Sequence, residues 1–172
     1  MARCLECSGR RLAFASARAS VVYTGPTRAV VLAWKERALR RVAHLAAGLV
    51  VDELARPAAD VITYIPPDGD RSLRRGHHPA FELARELASA WDLELHLTLA
   101  RTRPVERQAR LSPAERRRNV RGAFRAPERV PARVVLIDDV YTTGATVNAA
   151  STALRAGGAR RIEVVTFARA VR

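Results

Sequence analysis

The order of apolar and polar positions predicts strands that alternate with helices along most of the chain. Short β-prone runs occupy 19–23, 61–65, 93–99, 134–137 and 161–167. Apolar residues recur at helical spacing over 28–54, with a break expected near 36–40, and again over 79–91 and 145–156. A capping box, Ser112-Pro113-Ala114-Glu115, predicts a further short helix to about Asn119. This alternation predicts an α/β fold with a parallel sheet flanked by helices.

Chain length and composition favour one packed domain. The chain has 172 residues, of which 48% are hydrophobic, enough for a single α/β core. No apolar run approaches the roughly 20 residues that a membrane-spanning helix needs. The first eleven residues lack the apolar stretch of a signal peptide. We therefore expect a cytoplasmic protein without membrane insertion.

Positive charge is the strongest compositional signal. The net charge is +13, and Lys35 is the single lysine beside 29 arginines. The segment from Arg101 to Arg133 holds eleven arginines against three glutamates, a net charge of +8. Arginine grips phosphate with a planar donor fork, so phosphorylated ligands or polyanions are expected partners. The alternative is a solvated basic surface without a specific partner.

The two cysteines, Cys4 and Cys7, have the spacing C-x-x-C, which is half of a zinc-ribbon ligand set. A single chain cannot complete a four-cysteine site. Two chains sharing Zn²⁺, a knuckle completed by residues upstream, and a disordered end all remain open. A thioredoxin-like role is less favoured, because no βαβ unit follows closely. We treat residues 1–18 as a partial zinc-knuckle-like segment that precedes one domain, 19–172.

The candidate chemistry follows the aliphatic run 134–137. That strand delivers Asp138 and Asp139 to the carboxyl edge of the sheet, where such folds bind ligands. A small and hydroxyl-bearing loop then leads into a helix N-terminus, whose free N–H groups and dipole favour phosphate. The phosphate-binding candidates are Thr142, Thr143, Gly144, Ala145 and Thr146. Ribose 5-phosphate fits both halves, whereas the alternative is a plain turn that caps the helix.

The run from Val134 to Thr146 resembles the motif of type I phosphoribosyltransferases that binds 5-phosphoribosyl-1-pyrophosphate (PRPP). The wider chain resembles the ComF/GntX family, named for proteins of DNA uptake and gluconate metabolism. The resemblance covers nearly the whole chain. It includes Tyr23-Thr24-Gly25, Trp34-Lys35, Arg74-Arg75-Gly76, Arg103, Gln108, Leu111, Glu115-Arg116, Asn119 and Gly122-Ala123-Phe124.

The resemblance implies a type I phosphoribosyltransferase-like domain over 19–172 and a role for each motif residue. Asp138 and Asp139 would be the catalytic acids that hold the ribose hydroxyls, directly or through Mg²⁺, and loop 142–146 would wrap the 5-phosphate. The segment from Arg101 to Arg125 would be the mobile region that closes over the site. The candidates for the pyrophosphate loop are Arg71, Arg74 and Arg75, with His77 as a further candidate.

The resemblance also bears on zinc and on the remaining histidines. Relatives commonly open with a four-cysteine zinc knuckle, of which only Cys4 and Cys7 are visible here. His44 and His96 are expected to be packing or surface residues.

Three functional hypotheses follow. The first is a phosphoribosyltransferase that releases pyrophosphate, with an acceptor the sequence does not identify. The second is a competence accessory protein that binds single-stranded DNA, uses PRPP as ligand or switch, and works with other DNA-uptake proteins. The basic segment and the family name motivate it, although Phe124 is the one aromatic residue there available for stacking. The third is a structural remnant without PRPP affinity.

Overall fold

The computed structural model describes residues 11–67, 77–103 and 113–171. Its strands are β1 (Ser16–Val22), β2 (Val61–Tyr64), β3 (Glu94–Leu95), β4 (Ala100–Arg101), β5 (Phe124–Arg125), β6 (Arg133–Tyr141) and β7 (Arg161–Arg169). Its helices are α1 (Gly25–Arg37), α2 (Arg41–Glu53), α3 (Pro79–Trp91), α4 (Pro113–Val120) and α5 (Ala145–Ala156).

Five strands form one parallel sheet in the order β1-β7-β6-β2-β3. Strands β4 and β5 pair separately as a short antiparallel ribbon. Because a parallel pair needs a crossover, helices lie between successive sheet strands and cover both faces. The predicted α/β class, a parallel sheet flanked by helices, is confirmed.

Alternation along β6 divides the core into two layers. Val134 and Leu136 pack toward α5, whereas Val135 and Ile137 pack toward α1, α2 and α3. All four side chains are essentially inaccessible to solvent. A strand that is apolar on both sides is typical of the centre of a parallel sheet. Strand β6 is therefore held between both layers and carries the acidic pair at its far end.

The helices largely follow the predictions. Helices α3 and α5 have the predicted bounds, and the expected break in the first helical region occurs at Ala38, with φ of +52°. The prediction of a strand over 93–99 was too long, because β3 pairs with β2 over only Glu94–Leu95. Leu97 is 75% exposed, so the apolar alternation beyond β3 does not correspond to one buried strand face.

The chain joins the sheet early. Strand β1 begins at Ser16, and Phe14 is buried in the core beside α5. The backbone of Ala13 donates to the Asn148 amide oxygen and accepts from the Arg155 guanidinium. Residues 1–10 lie outside the described part, so the division between 1–18 and 19–172 stays a prediction. Within the described residues, no helix combines the length and apolar character of a bilayer span.

Candidate ligand-binding site

The site lies where β6 extends past its neighbour β2. The β2–β6 ladder ends at Tyr64 opposite Ile137, whereas β6 continues beside β7 as far as Tyr141 opposite Arg169. Asp138 and Asp139 therefore lie past the end of β2, at the carboxyl end of the sheet. The predicted strand of four residues was too short, because pairing with β7 keeps the backbone extended through both acids. A crevice at this edge is where such sheets bind ligands.

A lysine contacts the acidic pair directly. The ammonium group of Lys35, from α1, lies 2.8 Å from Oδ1 and 2.7 Å from Oδ2 of Asp139. The Asp139 side chain is 13% exposed and that of Lys35 is 28% exposed. The Asp138 carboxylate accepts the backbone N–H of Asp139 at 2.9 Å. The two acids thus differ, since Asp139 is paired with a cation and Asp138 is capped by a main-chain donor.

The pKa values of Asp138 and Lys35 are both raised, for different reasons. Burial, helped by the neighbouring Asp139 charge, raises the pKa of Asp138 to about 7. Burial lowers the pKa of Lys35, but the attraction of Asp139 outweighs it and the net shift is upward. Near neutral pH, Lys35 is therefore charged, and Asp138 exchanges a proton in the physiological range.

His78 lies beside the same pair. Burial lowers the pKa of His78 to about 4, although the Asp139 carboxylate opposes this shift. Its ring packs at 5.3 Å from the ring of Tyr64, at the end of β2. The imidazole is therefore neutral at pH 7 and able to act as a hydrogen-bond donor and acceptor there.

The loop after the acids is the candidate anion cradle, and it ends at the N-terminus of α5. Gly144 is the N-cap of α5 in the left-handed region, with φ of +70°. A Cβ at this position would overlap the hydroxyl and ring of Tyr141, which is buried directly beneath the turn. The first-turn N–H groups of a helix such as α5 have no partners within the helix, and groups of this kind favour an anion. The hydroxyl of Thr143 accepts the N–H of Ala145 at a long 3.4 Å.

The structure brings part of the predicted set together. Asp138, Asp139 and the loop 142–146 are contiguous at one edge of the sheet. The predicted pyrophosphate-loop residues Arg71, Arg74 and Arg75 lie outside the described residues, as do the cysteines Cys4 and Cys7. Their roles, and zinc binding, stay predictions.

The histidines divide by burial. His77 is 7% exposed and donates from Nε2 to the carbonyl oxygen of Trp34 at 2.6 Å. His77 therefore fastens α1 to the start of α3. His44 and His96 contact Glu86 and Glu94 at the surface, as expected of packing or surface residues.

Within the basic segment, contacts join residues 101–103 to residues 119–125. Strand β4 pairs with β5, and Thr102 and Arg103 donate to backbone carbonyls of residues 119, 121 and 122. The guanidinium of Arg101 donates to Pro66 at 2.9 Å and lies over the Phe124 ring. Arg101 is also near enough to Asp138 to lower its pKa electrostatically. The N-terminal end of this segment is therefore close to the acidic pair.

Reasoning from the pattern did not identify Lys35 or His78 as members of the site, and it included Arg101 only as the start of the segment expected to close over the site. They lie 104, 61 and 38 positions from Asp139 or its neighbours along the chain, so no local spacing links them. One signal was present: Lys35 is the single lysine among 30 basic residues. A compact ammonium and a planar guanidinium are not equivalent at a carboxylate.

The fold and the site together define an α/β protein with an acidic pair and a glycine turn, the candidate anion-binding turn, at the carboxyl edge of a parallel sheet. Residues 73–171 match the phosphoribosyl transferase domain family. The chain belongs to this family, in agreement with the predicted resemblance.

Curated relatives are named for DNA uptake and use. The chain is 33% identical over 142 residues to competence protein F of Haemophilus influenzae, covering 80% of this chain and 62% of that protein. It is 33% identical over 154 residues to the DNA utilization protein YhgH of Salmonella typhi, covering 83% and 66%. These matches confirm the resemblance to the ComF/GntX family. The chain spans slightly less than two thirds of the length of either relative.

A solved structure also aligns with the chain. It is the glutamine PRPP amidotransferase of B. subtilis, at 25% sequence identity and a TM-score of 0.48. The alignment covers 74% of this chain and 25% of that enzyme.

The turn at Gly144 generates a stability prediction. Gly144→Ala forces a side chain into the left-handed region and onto Tyr141, so the free energy of unfolding should fall by about 1–3 kcal/mol. Gly48→Ala is the matched control, because a Cβ there meets nothing within 4 Å and the residue is inside α2. It should stabilise the protein by about 0.5–1 kcal/mol. Urea denaturation of both variants measures the difference, and equal effects would contradict this account of the turn.

The raised pKa of Asp138 predicts how stability depends on pH. A folded-state pKa near 7 exceeds the usual unfolded value, so the stability that Asp138 contributes is fully present below about pH 4 and is lost as pH rises through 7. Asp138→Asn removes this loss, and the variant should gain stability over wild type between pH 5 and pH 8. Denaturant titrations at pH 5 and at pH 8 measure this gain in the free energy of unfolding. The control is Asp52→Asn, at the exposed end of α2. A gain that is the same at both pH values would show that Asp138 is not held neutral by burial.

Proposed function

We propose that this chain binds PRPP at the carboxyl edge of its sheet and transfers the phosphoribosyl group to an acceptor, releasing pyrophosphate. One observation carries the proposal. Two acids lie past the end of β2 and run directly into an anion-binding turn, within a domain that belongs to the phosphoribosyl transferase family. Asp138 and Asp139 would hold the ribose hydroxyls, and loop 142–146 would hold the 5-phosphate.

The donor set bears on the role of Mg²⁺. Asp139 is already paired with Lys35, and the described residues contain no group of three or more His, Cys, Asp or Glu side chains that could hold a metal ion. Such a set fits Mg²⁺ in the mode where one or two carboxylates act with the phosphate oxygens of the ligand. When bound, the ion supplies charge neutralisation to the departing pyrophosphate.

The reaction is a displacement at the anomeric carbon. A bond forms from this carbon to the acceptor nucleophile, and the bond to the pyrophosphate oxygen breaks with its electron pair. The acceptor loses its proton. The cradle would anchor the 5-phosphate, which lets binding energy remote from the reacting atom orient the ribose.

Exclusion of water is the other requirement, because PRPP is otherwise hydrolysed. Helix α1 contacts the acidic pair through Lys35. The N-terminal end of the basic segment lies near the same pair through Arg101. We propose that the segment from Arg101 to Arg125 closes over the ligand, as loops do in enzymes that exclude water.

Calorimetric titration of PRPP, with and without Mg²⁺, tests the site. Wild type should bind in the presence of Mg²⁺, and the double variant Asp138→Ala, Asp139→Ala should lose binding at least tenfold. The matched control is Asp52→Ala, Glu53→Ala, which removes an adjacent and exposed acidic pair at the end of α2. The control should bind like wild type. If wild type gives neither heat nor thermal stabilisation, the site is a remnant and the proposed function is wrong.

Turnover is a separate question from binding. Pyrophosphate release from PRPP, measured with a pool of nucleobases and amines, should exceed the blank without acceptor and vanish in the double variant. Binding without such an excess would leave a PRPP-binding protein that is not a transferase.

A second function, binding of single-stranded DNA, is favoured by charge. The net charge is +13, and four of the arginines that contribute to it are exposed in and after α4. Two relatives carry names that refer to competence and DNA utilization. The exposed residues are Arg118, Arg121, Arg125 and Arg129. Arginines spaced along one stretch would follow a phosphate backbone, with affinity falling as counterions compete.

Salt dependence tests this second function. Binding of a labelled oligonucleotide should weaken steeply with salt. Arg118→Ala, Arg121→Ala, Arg125→Ala should reduce the slope of log K against log salt by about 2, since each phosphate contact contributes roughly 0.7. The control triple Arg28→Ala, Arg41→Ala, Arg160→Ala removes the same charge from exposed positions elsewhere. Equal slopes for the two triples would show general attraction and no dedicated surface.

A further inference from the structure

The strongest unexplained contact in the site is the pairing of its single lysine with one motif acid. Both Asp139 carboxylate oxygens lie within 2.8 Å of the Lys35 ammonium. Nothing in the proposed roles of Asp138, Asp139 or the loop requires a cation supplied by the protein. The contact crosses from α1 to β6, so it depends on how α1 is docked and not on local sequence.

The docking of α1 is itself held by buried polar contacts next to Lys35. The indole of Trp34 donates to Glu82 of α3 at 3.0 Å, and His77 donates to the Trp34 carbonyl oxygen at 2.6 Å. The Trp34 side chain is fully buried and meets Phe167 of β7 edge to face. Because both polar groups of Trp34 are satisfied inside the protein, residue 35 is presented to Asp139 in a defined position.

Lysine suits this position for a chemical reason. An ammonium is a compact point charge with three donors, whereas a guanidinium is a planar fork. A cation that contacts both oxygens of one carboxylate also repels a second cation from that carboxylate. In a chain whose other 29 basic residues are arginines, the use of lysine here is consistent with such a confined cation site.

Resting on the proposed function, we infer that Lys35 is a positioning residue that serves as the resident cation of the acidic pair. It takes the place at Asp139 that a divalent ion would otherwise fill. The ribose half of the ligand is then held without metal, by Asp139 fixed against Lys35 together with Asp138 and the phosphate cradle. Any requirement for Mg²⁺ arises only from the pyrophosphate group.

Ribose 5-phosphate, which lacks the pyrophosphate, separates the two halves of the ligand. Wild type should bind it with the same affinity in EDTA and in millimolar Mg²⁺. Lys35→Gln leaves two adjacent acids without their cation, so its affinity in EDTA should fall at least tenfold, and Mg²⁺ should restore part of the loss. The affinity of Lys35→Arg for ribose 5-phosphate in EDTA should lie between those of wild type and Lys35→Gln. A purely structural role of Lys35 would not produce rescue by Mg²⁺.

The control is Arg37→Gln, which removes one positive charge from an exposed position two residues further along α1. It should bind ribose 5-phosphate like wild type, with or without Mg²⁺. Thermal unfolding of each variant shows whether the fold is kept. The comparison of EDTA with Mg²⁺ on wild type needs no variant and remains informative if Lys35→Gln does not fold.

The outcomes distinguish this inference from the proposed function. Binding of ribose 5-phosphate by wild type that requires Mg²⁺, or full affinity of Lys35→Gln in EDTA, overturns the role of Lys35. If wild type binds PRPP with Mg²⁺ but not ribose 5-phosphate, the inference fails and the function stands. If wild type binds neither compound, both are wrong.

Discussion

The site depends on the unequal lengths of two neighbouring strands. Strand β6 continues through Tyr141 because β7 supplies hydrogen-bond partners along one side, whereas β2 ends at Tyr64 on the other. Past that point the edge of β6 that faced β2 pairs with no strand among the described residues, and the two acids lie in this stretch. Just before the acids, Leu136 and Ile137 of the same strand pack into opposite core layers. Packing on both faces therefore fixes β6 just before the acidic pair.

Around this crevice, distant parts of the chain are placed by packing. Trp34 locks α1 to α3 and β7, which brings Lys35 onto Asp139. His78 reaches the same edge because α3 begins there and its ring packs on Tyr64. Pairing of β4 with β5 fixes the N-terminal end of the basic segment, and Arg101 is therefore close to Asp138. Lys35 and Arg101 alter the charge balance of a pair that the motif alone presents as two equivalent acids, and His78 places a neutral imidazole beside it.

Concentrating buried charge here works against stability. Burial with Asp139 alongside raises the pKa of Asp138, and burial lowers that of His78, so each group is held away from its preferred ionisation state. The turn at Gly144 adds no such cost as long as the residue is glycine, because a Cβ at this position would overlap the Tyr141 ring. Such features persist where the surrounding fold is stable enough to hold them, and they cluster at binding sites. A ligand that satisfies the acids and the cradle would relieve part of this cost.

The sequence by itself determined the elements and the local motif. Helices α3 and α5 were predicted with their observed bounds, because an N1 proline or an N-cap glycine and a regular apolar stripe are local signals. The order of acids, hydroxyls and glycine also predicted the turn that leads from β6 into α5, since all of its parts are contiguous, whereas its role in binding an anion stays a prediction. Only the tertiary structure decided how far β6 extends, because that length depends on pairing with β7. Only it brought Lys35 to Asp139, since the contact joins residues 104 positions apart through the packing of Trp34, which no local pattern encodes.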